Sequence, residues 1–225
     1  MRISLILFII FAGLAFSEIL FSDDFNDGIA DGWSELAGAE FAVIDGEYCC
    51  WGDASSIGLS SAGDVAGIMS VPDYSFRAKV EMEAGLMIGQ FVRFSYYAEY
   101  MYCLCIGEEA GGIALVKADQ NNQYVLDSYS MAFEYNQPYW MRFEIQDDIL
   151  GGKVWTGTIE DEPSEWMVLA TDNSVSAPGS IALFCLAPEG DEKISMFVTF
   201  DDVQVTDNLT LALHAVTWAS IKSSF

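Results

Sequence analysis

Two-residue alternation of apolar and polar side chains is the feature that most limits what this chain can fold into. From Tyr74 to Glu83, Tyr74, Phe76, Ala78, Val80 and Met82 alternate with Ser75, Arg77, Lys79, Glu81 and Glu83. Successive side chains of a strand point to opposite faces, so this run predicts a strand with one buried and one wetted face. Tyr139 to Gln146 repeats the pattern, with Met141, Phe143 and Ile145 on one side and Trp140, Arg142, Glu144 and Gln146 on the other. Further β-rich runs lie at Glu40 to Ile44, Glu47 to Trp51, Gln90 to Ala98, Tyr100 to Ile106, Ile113 to Lys117, Gln123 to Ser128, Trp166 to Ala170, Ser180 to Leu186 and Ile194 to Val205. Asp45-Gly46 between two of them predicts a two-residue hairpin, because both central positions of a type I′ turn take positive φ. Val71-Pro72-Asp73, Gly151-Gly152 and Ala177-Pro178-Gly179 mark other breaks. Strands this short and numerous predict one antiparallel sandwich or barrel of about 190 residues, with no linker to divide it.

Charge and apolarity then exclude several roles. The chain has 34 Asp and Glu against 9 Lys and Arg, yet 52% of it is hydrophobic. Acidic disordered segments lack the apolar content to build a core, so this acidity belongs to a folded surface. Nucleic-acid binding depends on Lys and Arg displacing counterions from phosphates, so nucleic acid is excluded as a partner.

Met1-Arg2 is a short positive start, Ile3 to Phe16 is a nearly unbroken apolar run, and Ala15-Phe16-Ser17 provides small residues at a peptidase site. We read a secretory signal peptide over 1–17, a β domain over 18–207 and a C-terminal tail over 208–225. The apolar run of about 14 residues is short of the roughly 20 needed for a membrane span. The mature protein is therefore expected outside the cytoplasm, secreted or in the cell envelope, with no stable membrane span. Cleavage removes Arg2 and leaves eight basic residues. In the tail, Trp218, Ile221 and Phe225 have the spacing of a short amphipathic helix, with a frayed end as the alternative. Asn208-Leu209-Thr210 is a glycosylation sequon.

Five cysteines follow the signal: Cys49, Cys50, Cys103, Cys105 and Cys185. Their spacing fits neither a zinc site nor a disulfide-dense scaffold. They read as small buried hydrophobes, or as one disulfide whose connectivity the sequence leaves open.

The ordered strings Gln90-Phe91-Val92-Arg93-Phe94, Glu99-Tyr100-Met101-Tyr102, Ala114-Leu115-Val116-Lys117, Tyr139 to Ile145, Lys153-Val154-Trp155 and Glu162-Pro163-Ser164-Glu165-Trp166 resemble secreted bacterial concanavalin-A-like (laminin-G-like) lectin/glucanase domains. Asp24-Phe25, Asp31-Gly32-Trp33 and the closing run Phe200 to Val205 agree. The resemblance spans roughly residues 19 to 207. It implies an all-β jelly-roll sandwich of two antiparallel sheets, one with a concave outer face. It implies no reaction, since this fold carries lectins, hydrolases, lyases and inert spacers alike. The catalytic glucanases of the superfamily carry a Glu-x-Asp-x-x-Glu strand, which is absent here. Glu144-Ile145-Gln146-Asp147-Asp148 and Glu81-Met82-Glu83 both fail its spacing.

His214 is the sole histidine and lies in the tail, which argues against histidine-based catalysis. The abundance of acids guarantees chance carboxylate pairs at glycosidase distance, so their presence discriminates nothing. The more informative set is Arg93, Tyr97, Tyr100, Tyr102, Lys117, Trp140, Arg142 and Glu144, on the middle strands. Aromatic rings stack on sugar faces, and Arg, Lys and Glu hydrogen-bond hydroxyls. These residues are expected to line a glycan groove for an oligosaccharide or polysaccharide, and Arg93, Lys117 and Arg142 would suit an anionic one. Ordinary inter-strand packing is the competing explanation. Asp24, Asp27, Asp201 and Asp202, with Asp23 and Asn26 beside them, are expected to converge if the terminal strands pair, and calcium is the candidate structural ion. The function expected is a non-catalytic glycan-binding or cell-surface interaction module. A carbohydrate-active enzyme using a carboxylate pair and a purely structural module are the alternatives.

Overall fold

The computed structural model describes residues 18–63, 70–95, 100–119, 122–189, 195–207 and 209–211. Residues 1–17, expected as a signal peptide, and Tyr97, Asn208, His214 and the tail beyond Leu211 lie outside the described residues. The strands in chain order are β1 (Ile19–Asp23), β2 (Trp33–Gly38), β3 (Glu40–Ile44), β4 (Glu47–Gly52), β5 (Ile57–Ala62), β6 (Tyr74–Ala84), β7 (Met87–Phe94), β8 (Met101–Gly107), β9 (Gly112–Ala118), β10 (Gln123–Ser130), β11 (Tyr139–Gln146), β12 (Ile149–Trp155), β13 (Val168–Thr171), β14 (Ser180–Leu186) and β15 (Met196–Thr206). They form two antiparallel sheets. The eight-stranded sheet has the order β13-β12-β11-β6-β15-β4-β3, with β1 also paired to β15. The seven-stranded sheet runs β10-β9-β8-β7-β14-β5-β2.

The alternating runs become the inner strands. Tyr74, Phe76, Ala78, Val80 and Met82 on β6 and Tyr139, Met141, Phe143 and Ile145 on β11 point inward. They meet Ile88, Val92, Leu104, Leu115, Ile181 and Leu183 from the other sheet to form one core. The Asp45-Gly46 hairpin is present with φ of 52° and 87°, and it joins β3 to β4 with Ile44 opposite Glu47. Four strands, β1, β2, β5 and β12, lie outside the runs read from the sequence, and β12 continues through Gly151-Gly152, where a break was expected, because both glycines pair with β11 and β13. β2 (WSELAG) and β5 (IGLSSA) are rich in small residues, and pairing with each other and with β14 makes strands of them. Tertiary context overrides weak local preference in such segments.

Candidate ligand-binding site

Strand register places a row of polar side chains on the outer face of the eight-stranded sheet. Gln204 on β15 pairs with Arg77 on β6, Arg77 with Arg142 on β11, and Arg142 with Lys153 on β12. Three neighbouring cations repel unless carboxylates intervene. Glu162 accepts hydrogen bonds from Arg142 Nη1 at 2.9 Å and Lys153 Nζ at 3.0 Å, and Glu144 accepts one from Arg142 Nη2 at 2.6 Å. Trp166 covers both cations, 4.5 Å from Lys153 Nζ and 5.6 Å from the Arg142 guanidinium carbon. Glu144 is fully buried and also accepts the backbone N–H groups of Thr210 and Leu211. This end of the row is closed over by residues 158–167 and 209–211.

Arg77, at the other end, is treated differently. Its Nη2 donates to Gln204 Oε1 at 2.7 Å and its guanidinium lies over the Trp140 indole, 5.9 Å from the centroid. Its Nε is buried without a hydrogen-bond partner. Six lysines and arginines fall among the described residues, and Arg77 is the one outside every ion pair. Burial pushes its pKa down, although a guanidinium remains charged at any ordinary pH.

Arg77 opens into a cavity of about 580 Å³. Its floor is Arg77, Trp140 and Gln204, Ile159 borders one side, and Asp23, Asp24, Asp27, Asp31 and Asp202 border the rest. The acidic wall is the turn from β1 to β2, and its own carboxylates fold it. Asp23 accepts from Phe25 N at 2.9 Å and Trp33 Nε1 at 3.0 Å, Asp24 from Asn26 N at 3.2 Å, and Asp27 from Ile29 N at 3.0 Å. Phe25 anchors the turn in the core, stacked on Tyr48 at 5.2 Å. Asp202 reaches the cavity because β15 bulges between Asp201 and Gln204, with Asp202 at a φ of 48°. A bulge re-aims a side chain in this way. Partial desolvation is the first cause raising the Asp23 and Asp202 carboxyls above the usual aspartate range, and neighbouring aspartates add to it.

The expected single groove is not assembled. Arg93 and Tyr102 belong to the seven-stranded sheet, whereas Trp140, Arg142 and Glu144 belong to the eight-stranded one. Arg93 is 3% exposed and ties loops together, donating to Pro72 O, Val175 O, Asp147 O and Asp73 Oδ1 at 2.7–2.9 Å. Tyr102 is buried in the core, with its hydroxyl on Asp172. Lys117 pairs with Asp172 at 2.8 Å and lies beside the Tyr100 and Tyr124 rings. Arg142 and Glu144 are closed in as described. Trp140 alone of the set borders the cavity, and it offers an edge, because Arg77 covers the ring and Trp155 stacks on it at 6.2 Å. These long side chains pair their charges under the covering loops, because burying them unpaired would cost of the order of 3–5 kcal/mol.

The expected carboxylates fare in part. Asp24, Asp27 and Asp202 do border one cavity, through the β1–β15 pairing, but Asp201 turns to Lys79 at 3.3 Å. Among the described residues no three Asp, Glu, His or Cys side chains cluster as a metal shell would require. One oxygen of Asp24 and one of Asp27 accept backbone N–H groups of their own turn. Nothing local marks Arg77, Gln204, Asp31 and Ile159 as a group; only the outward parity of Arg77 on its strand was legible.

No family model matches the sequence, and no curated protein is significantly similar to it. Solved structures do match. The carbohydrate-binding module CBM66 from Bacillus subtilis superposes with a TM-score of 0.57 at 17% identity, over 77% of this chain and 94% of that one. The exoplasmic/lumenal domain of VIP36, bound to calcium and Man3GlcNAc, gives 0.59 at 9% identity, over 86% and 91%. The Bacillus licheniformis β-glucanase gives 0.59 at 12% identity, over 84% and 98%.

Proposed function

We infer that this chain binds carbohydrate, because its concanavalin-A-like jelly roll is the architecture of lectins, carbohydrate-binding modules and glucanases. We propose that this chain is a non-catalytic carbohydrate-binding module of the cell exterior, with the domain spanning 18–207. Its ligand is a neutral, hydroxyl-rich sugar held in the cavity over Arg77. The observation that carries this reading is the Arg77 guanidinium, held without an ion pair at the floor of a cavity walled by aspartates. Sugar hydroxyls both donate and accept. The carboxylates of Asp24, Asp31 and Asp202 supply acceptors, Arg77 supplies donors, and the Trp140 edge gives an apolar contact. A sugar carboxylate or sulfate would meet five aspartates against one arginine, and the cations that would have favoured it are paired elsewhere.

The test is a glycan array probed with the full chain in calcium and in EDTA, followed by a reducing-sugar assay on each hit. Expected are neutral glycans, equal signal in both buffers and no turnover. Turnover would make the protein an enzyme, and a set of hits confined to acidic glycans would overturn the ligand class.

A further inference from the structure

We propose that Cys50 and Cys185 form a disulfide that staples the two sheets together. Cys50 points inward from β4 of the eight-stranded sheet and Cys185 inward from β14 of the seven-stranded sheet. Their Sγ atoms lie 3.2 Å apart in the core, and both side chains are fully buried. They meet above Gly58, the residue opposite Cys185 on β5. A Cβ at position 58 would stand 2.4 Å from Cys50 Sγ and 2.6 Å from Cys185 Sγ, so glycine creates the slot that both sulfurs fill.

The other three thiols are kept away by strand parity. Cys49 faces outward on β4, its S–H directed at Glu47 O at 3.6 Å. Cys103 and Cys105 share the outer face of the seven-stranded sheet with Ala114, Val116 and Phe184. A side chain cannot cross its own sheet, so neither can reach Cys50 or Cys185. A Cys103–Cys105 bond would join residues two apart on one strand, at roughly 6.6 Å between Cα atoms, near the upper limit of disulfide geometry. The odd cysteine count thus resolves into one inter-sheet bond and three thiols.

Forming the bond removes two protons and two electrons, which a disulfide oxidant accepts. One cysteine thiolate attacks the oxidant's disulfide, making a mixed disulfide and releasing one thiolate. The second cysteine then attacks the protein sulfur of the mixed disulfide and expels the other, leaving the oxidant as two thiols. Burial pushes the Cys185 thiol up, which disfavours the attacking thiolate once the core has closed. The bond therefore forms as the sheets come together, and it ties residues 135 apart in sequence, restricting the unfolded chain.

The full chain is refolded from denaturant in mixed reduced and oxidised glutathione, alkylated, digested without reduction and sequenced by mass spectrometry. The expected product is a peptide pair linked through Cys50 and Cys185, with Cys49, Cys103 and Cys105 alkylated. Reduction of that protein should lower the thermal midpoint by about 5–10 °C. A Cys103→Ser, Cys105→Ser variant should keep the same linkage. Alkylation of Cys50 and Cys185 in the oxidised, folded protein, or a linkage through any other cysteine, would overturn the proposal. The wild-type peptide map decides this even if variants at Cys50 or Cys185 do not fold.

Discussion

Arg77 on β6 lies diagonally across the sheet from Trp140 on β11, its guanidinium 5.9 Å from the indole centroid, and both border the same cavity. Trp140 is thereby sandwiched between Arg77 and Trp155, and the arginine is steered toward the aspartate wall. An arginine with a buried, unpaired Nε contributes little to stability: its cation–π contact is worth about 0.5–1 kcal/mol and its desolvation works against it.

Arg77→Met is accordingly expected to change unfolding free energy by less than about 1 kcal/mol while lowering affinity for a bound sugar at least tenfold, about 1.4 kcal/mol. Urea unfolding and titration calorimetry on one sample measure both quantities. Wild-type affinity in the variant would remove Arg77 from the site.

Asp202→Asn should stabilise the protein at neutral pH. The folded Asp202 carboxyl has a pKa above its unfolded value, through desolvation and then the Asp201 charge. Its proton is held more tightly in the folded chain, so the contribution is fully present below the unfolded value near 4 and is lost as pH rises through the folded one. Asparagine removes the charge and tolerates the positive φ at this bulge. The side chain is exposed, so the expected gain at pH 7 is small, about 0.5 kcal/mol, and it should shrink toward zero near pH 3. Thermal unfolding at the two pH values measures this, and an equal gain at both would assign the effect to the backbone.

Arg93→Lys should cost about 2–4 kcal/mol, because a lysine cannot span the two carbonyls, the Asp73 carboxylate and the Asp147 carbonyl that the buried guanidinium joins. Sugar affinity at temperatures where the variant is folded should stay at the wild-type value. A loss of affinity there would return Arg93 to the binding machinery.

Gln90→Leu should stabilise by about 1–3 kcal/mol. Gln90 points into the core from β7 with its amide nitrogen and oxygen both buried and without partners, and leucine fills similar volume without that penalty. A lower urea midpoint in the variant would contradict this.

How far the sequence could be read is clear from particular elements. β3, β11 and β14 begin and end where the alternation and turn residues place them, because a strand's parity and its hairpins are local properties. β5 was invisible because its small residues become a strand only through pairing with β2 and β14. Asp24, Asp27 and Asp202 were legible as convergent acids once β1 and β15 were taken to pair, whereas the turn's claim on one oxygen each of Asp24 and Asp27 was not.

The site shows the same division more sharply. Arg93, Tyr102 and Trp140 look alike in sequence, each on an alternating strand of the kind that can line a groove. Whether such a side chain faces solvent, a loop or the core depends on which sheet its strand joins and what packs over it, and both are long-range facts. By itself the sequence determined the all-β class, the parity of Arg77 and the acidic coat, since these follow from residue type and a period of two. Only the tertiary structure decided that Arg142 and Lys153 would be neutralised by Glu144 and Glu162, that Arg77 would be left facing the aspartates, and that Cys50 would meet Cys185. Register across four strands and contact between two sheets bring together residues far apart in the chain, and no local pattern encodes such pairings.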